Sequence, residues 1–167
     1  MIFYNPNNKK NIIFLFIFMM FFNACDSEKV LVLNENAPEI ATMDMNGESV
    51  KLSDFHNKAI VMVFFKNGCE ACVGILPELD NLAKNNKNIA ILAINTSNTK
   101  EEIKEFLEDT PLVNTHILRD SLQITARRFI INMTPSVILL DANHIARDKI
   151  IGVGDFSALK MRLDKIL

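Results

Sequence analysis

Ala59-Ile60-Val61-Met62-Val63-Phe64-Phe65-Lys66-Asn67-Gly68-Cys69-Glu70-Ala71-Cys72 is the stretch from which the fold is read. Its seven consecutive apolar residues suit a strand buried on both faces, which requires a sheet covered by helices. Lys66-Asn67-Gly68 then marks a turn. From Cys72 onward Val73, Leu76, Leu79, Leu82 and Ala83 recur at helical spacing as far as Asn85. Pro77 falls inside that helix and is expected to kink it. A strand gives way to a helix, and the junction carries a Cys-x-x-Cys pair.

Upstream, Met43-Asp44-Met45-Asn46-Gly47-Glu48-Ser49-Val50 sets Asn-Gly between β-compatible flanks and predicts a hairpin. Ser53-Asp54-Phe55 reads as one capped helical turn. Downstream, residues 89–94 form a second buried strand. Thr99-x-x-Glu102 is a capping box opening a helix that buries Ile103, Phe106 and Leu107. His116-Ile117-Leu118 suits a short strand, residues 121–129 a helix, and residues 136–140 another strand. Asp141-Ala142-Asn143 turns the chain into an antiparallel strand over 146–151. Phe156, Leu159, Leu163 and Ile166 mark the apolar stripe of a closing helix. Alternating strands and helices demand parallel pairs with right-handed crossovers, and the closing hairpin adds antiparallel strands. The expected fold is α/β: a mixed central β-sheet flanked by helices, with an N-terminal β-hairpin extension, in one domain over 37–167.

Composition sets the class. Of 167 residues 49% are hydrophobic and 23% charged, enough to bury a core and unlike a disordered chain. The net charge is −2, and from Cys25 onward there are 16 basic and 20 acidic side chains. That balance carries no electrostatic footprint for nucleic acid. Three cysteines are too few for a disulfide scaffold.

Residues 1–24 read as an export signal. Lys9 and Lys10 precede the eleven apolar residues 12–22, and Asn23-Ala24-Cys25 follows. Spanning the hydrocarbon takes about 20 residues, so the run is too short to cross. The terminal Ala-Cys resembles the lipobox of bacterial lipoproteins, although Phe22 and Asn23 depart from its usual residues. The resemblance implies lipidation of Cys25; an uncleaved anchor and simple secretion are the other readings. Residues 25–36 then serve as a tether. The expected location is extracytoplasmic and membrane-anchored, on the periplasmic side or the outer cell surface.

At the start of a helix, unpaired amides and the backbone dipole favour an anion. Cys69 stands there, so its thiolate should be stabilised and its reactivity raised. Cys72 follows one turn later on the same face and can attack a mixed disulfide formed at Cys69. Glu70 either opposes the thiolate, leaning the couple toward a reductant, or merely complements the helix dipole in solvent. A half zinc site lacks a second ligand pair, since His56, His116 and His144 are scattered. Two inert buried cysteines are the bland alternative. No metal and no cofactor beyond the Cys69–Cys72 disulfide are expected.

Ala37-Pro38-Glu39-Ile40, Leu52-Ser53-Asp54-Phe55, the Cys-Glu-Ala-Cys motif and Pro77-Glu78-Leu79 resemble the extracytoplasmic thioredoxin-like proteins of the TlpA/ResA type. So do Leu118-Arg119-Asp120, Arg128-Phe129-Ile130 and the run from Met133 to Asp141. The resemblance implies a thioredoxin-like fold and a thiol–disulfide oxidoreductase using Cys69 and Cys72 as catalytic residues, with Gly68, Glu70, Ala71, Thr134 and Pro135 as neighbours. It implies a cis Pro135 facing the pair, and Thr134 offering backbone hydrogen bonds to substrate. It further implies protein disulfides as substrates, apocytochrome c among them, and a membrane protein as electron donor. Three departures stand out: Gly68 replaces the family's tryptophan, and Val63 and Ile75 occupy places where such proteins carry an acid. A peroxidase of peroxiredoxin type is an alternative, but Lys66 stands where those enzymes place Thr or Ser. A thioredoxin-fold copper-binding or docking lipoprotein is another, although copper chaperones of this fold space their cysteines one residue wider.

Overall fold

The computed structural model describes residues 28–153 and 156–166; the expected export signal, residues 1–24, and Cys25 lie outside them. The strands are β1 (Thr42–Asp44), β2 (Ser49–Val50), β3 (Ala59–Phe65), β4 (Ile89–Asn95), β5 (His116–Arg119), β6 (Ser136–Leu140) and β7 (Ala146–Ile151). Among the described residues the helices are α1 (Glu70–Asn85), α2 (Lys100–Asp109), α3 (Ile124–Arg128) and α4 (Phe156–Leu163), with a 3-10 turn at Leu52–Phe55. One seven-stranded sheet runs β2-β1-β5-β4-β3-β6-β7. β3 pairs parallel with β4 and antiparallel with β6, giving the mixed α/β sheet of a thioredoxin-like fold.

Strand alternation splits β3 between two cores. Val61, Val63 and Phe65 face Cys72, Leu76 and Leu79 of α1 and Leu159 and Leu163 of α4. Ile60, Met62 and Phe64 face Leu31, Ile40, Leu52, Phe55 and Phe129. All seven residues of β3 are buried. At roughly 1.5–3 kcal/mol for each large apolar side chain, this strand anchors both layers.

Local chemistry shapes three places differently from the sequence reading. In the first hairpin only Gly47 has positive φ, at +92°, whereas the tight Asn-Gly turn needs it at both positions. The Asp44 carboxylate accounts for this: it accepts the amides of Asn46 and Glu48, each at 2.8 Å, and favours a longer loop. The helix expected over 121–129 shortens to Ile124–Arg128. Fully buried Asp120 takes the Thr125 and Ala126 amides at 3.2 and 2.7 Å and so begins the helix late. Burial pushes the Asp120 carboxyl above its ordinary pKa, and those two amides offset part of the rise.

The third difference concerns residues 25–36, expected as a tether. From Leu31 onward this segment lies against the domain. The Leu31 amide donates to the Arg128 carbonyl at 2.8 Å, Asn34 to Ala146 at 2.7 Å, and Ala146 to Glu35 at 2.9 Å. Leu31 is buried in the second core. Polar composition hides this docking because backbone groups make the bonds.

α3 ends in a Schellman motif: Ile131 N donates to Ala126 O at 2.8 Å, and Ile130 N to Arg127 O at 3.0 Å. The motif puts a left-handed residue at its end, usually glycine, yet Ile130 sits there with φ +54°. The Lys149 ammonium braces it, donating to the carbonyls of Phe129 and Ile130 at 3.0 and 2.6 Å. A left-handed β-branched residue costs about 1–2 kcal/mol. Ile130→Gly is therefore expected to raise stability in urea unfolding by about 1 kcal/mol, after the loss of some side-chain contact. A loss of stability would show that contacts of the isoleucine side chain outweigh its backbone strain.

Candidate active site at one end of the sheet

Register brings the site together. Phe65, the last residue of β3, is level with Asn95 at the end of β4, and Phe64 opposes Ser136, the first residue of β6. Lys66, Thr96 and Pro135 each lie one residue beyond those positions, at the same end of the sheet. The turn from β3 into α1 is made by Gly68, with φ +74° and no atom within 4 Å of where a Cβ would stand. Backbone conformation, not lack of room, is what calls for glycine here.

Cys69 is the N-cap of α1. Its carbonyl accepts the Cys72 and Val73 amides at 3.0 and 3.2 Å. Cys69 and Cys72 form a disulfide with their Cα atoms 5.2 Å apart. The two sulfur-bearing residues differ in access: Cys69 is half-buried, while Cys72 is fully buried among Val63, Ile75 and Leu76. An incoming thiol therefore meets Cys69. Glu70 and Ala71 are exposed on the first turn of the helix.

Across the junction, the Thr134–Pro135 bond is cis, the conformer the family resemblance implied. The Pro135 carbonyl holds the Gly152 amide at 2.9 Å, and the Ser136 hydroxyl donates to the Met133 carbonyl at 2.8 Å. The Thr134 amide and carbonyl make no backbone hydrogen bond among the described residues, so an added strand can use them. Val63 and Ile75, which stand where proteins of this type carry an acid, are both buried in the apolar cluster that contains Cys72.

Sequence reading missed a support made of three asparagines. Asn95, buried at 1% exposure, accepts the Ser97 and Asn98 amides at 3.1 and 2.8 Å. Its amide group reaches Asn98 Oδ1 at 3.2 Å. Asn98 in turn accepts the Asn67 amide at 2.8 Å, and Asn67 Nδ2 donates to the Glu102 carbonyl at 2.7 Å. The loop carrying Cys69 is thereby tied to the loop after β4. Asparagines at corresponding ends of two adjacent strands were the available signal.

The profile of the AhpC/TSA family matches residues 33–149. The chain is 20% identical to the thiol-disulfide oxidoreductase ResA of Geobacillus thermodenitrificans over 151 residues, 89% of this chain and 86% of ResA. In fold it resembles a thiol:disulfide interchange protein described as DsbE from Chlorobium tepidum, with a TM-score of 0.74 and 21% identity, over 81% of this chain and 98% of the other. It also resembles the exposed lipoprotein thioredoxin Etrx1 of Streptococcus pneumoniae, with a TM-score of 0.67 and 18% identity, over 76% of this chain and 98% of the other. The chain belongs to the AhpC/TSA family. Within that family it is a thiol–disulfide oxidoreductase of the ResA type, with Cys69 and Cys72 joined in one disulfide.

Asn95→Ala removes the acceptor of two loop amides and opens a buried gap. It is expected to lower stability by about 1–3 kcal/mol in denaturant unfolding. An unchanged midpoint would mean that the asparagine lattice does not hold this loop.

Proposed function

We propose that the protein is an extracytoplasmic, membrane-anchored disulfide reductase that acts on protein substrates through Cys69. The observation that carries this reading is the asymmetry of the pair, a reachable sulfur at a helix N-terminus bonded to a sealed one. In the reduced state the Cys69 thiolate attacks a substrate disulfide. One substrate sulfur leaves as a thiolate and is protonated, while the other joins Cys69 in a mixed disulfide. Cys72 then attacks Cys69, restores the Cys69–Cys72 bond and releases the second substrate thiol. Two electrons pass to the substrate.

With apolar Val63 and Ile75 beside it, Cys72 gives its proton to solvent or to the departing substrate sulfur. Thr134 and Pro135 seat the substrate chain as an added strand next to Cys69, and Gly68, Glu70 and Ala71 border the contact. Re-reduction requires a dithiol donor, for which a membrane protein passing electrons outward is suited. Apocytochrome c cysteines fit the substrate chemistry. The export signal over 1–24 and lipidation of Cys25 supply the anchor. Within the described part of the proposed tether, Glu28 pairs with Arg128 at 3.2 Å and the Leu31 amide donates to the Arg128 carbonyl.

Lys66 is an exposed lysine where peroxidases of this superfamily place a hydroxyl, and this favours disulfide exchange over peroxide reduction. In the test, Cys72→Ser in the native membrane accumulates mixed disulfides with substrates, and these vanish when Cys69 is also replaced. Purified reduced protein is expected to reduce insulin disulfides. Failure of both assays would end the proposal.

A further inference from the structure

A cavity of about 300 Å³ opens at the same end of the sheet, lined by Lys66, Thr96, Ser97, Gln123, Asn132 and Thr134 among others. Its position is set by the site itself: Lys66 is three residues before Cys69, and Thr134 immediately precedes the cis proline. The volume lies at the low end for small-ligand sites and is ample for a side chain to enter.

The lining mixes the apolar Ala126, Ile131 and Met133 with hydrogen-bonding groups and holds one charge. Lys66 takes part in none of the ion pairs among the described residues, which are Arg128–Glu28, Arg147–Asp141 and Arg162–Asp148. Thr134 Oγ1 is buried without a hydrogen-bond partner. Thr96 and Ser97 add hydroxyls and Asn132 an amide. Gln123 spends its Nε2 on the Thr96 carbonyl at 3.1 Å. No carboxylate lines the cavity. The acids nearby in sequence are committed elsewhere: Asp120 binds the Thr125 and Ala126 amides, and Glu102 binds the Thr99 amide and hydroxyl. Glu70 is exposed on the first turn of α1, outside the lining. An exposed ammonium with no ion-pair partner among the described residues, set beside neutral donors, favours an anionic guest.

We propose that this cavity is a substrate subsite that receives an acidic side chain flanking the cysteine of the target disulfide, with Lys66 as its charge partner. The proposal rests on the oxidoreductase reading and adds substrate selection to it. A chain seated beside Thr134 would pass its neighbouring residue over Lys66 as its cysteine sulfur meets Cys69. Selectivity then arises from the residue next to the cysteine, while the exchange chemistry stays the same for all substrates.

The test uses reduced wild-type protein and short peptides whose single cysteine is linked by a disulfide to neutral 2-thiopyridine. Attack by Cys69 on the peptide sulfur releases 2-thiopyridone, which is followed by absorbance. Glu, Gln or Lys is placed on either side of the cysteine. The Glu peptide is expected to react about two- to fivefold faster than the Gln peptide, as one solvent-exposed ion pair allows, and the Lys peptide slowest. Lys66→Gln should abolish the Glu/Gln ratio, Lys66→Glu should invert it, and high salt should compress it in the wild type. The ratio between peptides is the readout, because any effect of Lys66 on the Cys69 thiolate changes all the rates together. Equal rates in the wild type, or a preference that survives Lys66→Gln, overturns the subsite while leaving the oxidoreductase intact. If no peptide reacts, both fall.

Discussion

Burial of β3 on both faces is the constraint from which the rest of the structure follows. Ala59–Phe65 sits between a parallel and an antiparallel neighbour, with no side chain of the strand left in water. A strand so enclosed has a fixed register, because a slip of one residue would exchange the two cores. Its last residue therefore delivers Lys66, Gly68 and Cys69 to a defined place at the sheet end. The first residue of β6 is pinned opposite Phe64, which brings Thr134 and Pro135 to that same end. Distant parts of the chain meet there, and the Asn67, Asn95 and Asn98 hydrogen bonds fasten two of the loops together.

Chemistry at that end follows from unequal access. Cys72 belongs to the core and Cys69 to its boundary, so the two halves of the disulfide cannot exchange roles. The apolar residues at Val63 and Ile75 keep Cys72 in hydrocarbon surroundings, which disfavour a thiolate. The boundary sulfur lies at the start of a sixteen-residue helix, where backbone amides favour negative charge. Fold stability and the direction of attack thus rest on the same packing.

Much of this was legible because apolar runs report burial directly. Residues 59–65, 136–140 and 146–151 were read as strands with the bounds the structure has, and Thr99 and Glu102 form the reciprocal cap that their spacing implied. What escaped was decided by single polar groups acting at a distance in sequence. Asp44 lengthened the Asn-Gly turn, Asp120 delayed a helix by three residues relative to the sequence reading, and main-chain bonds fastened Leu31 to Arg128. The asparagine lattice was invisible for the same reason: Asn67, Asn95 and Asn98 become neighbours only after β3 and β4 pair. The cis Pro135 at the cysteine end of the sheet was legible only through family resemblance, since nothing local in Met133-Thr134-Pro135 says which strand its loop will face.

The most direct measurement equilibrates the purified protein with glutathione buffers of graded potential and reads its redox state by mass after acid quenching. A dithiol and a disulfide form should interconvert reversibly with a two-electron midpoint, and any trapped glutathione adduct should sit on Cys69 and not on Cys72. A disulfide that stays unreduced across the whole range, or an adduct carried by Cys72, would contradict the assignment of Cys69 as the attacking sulfur.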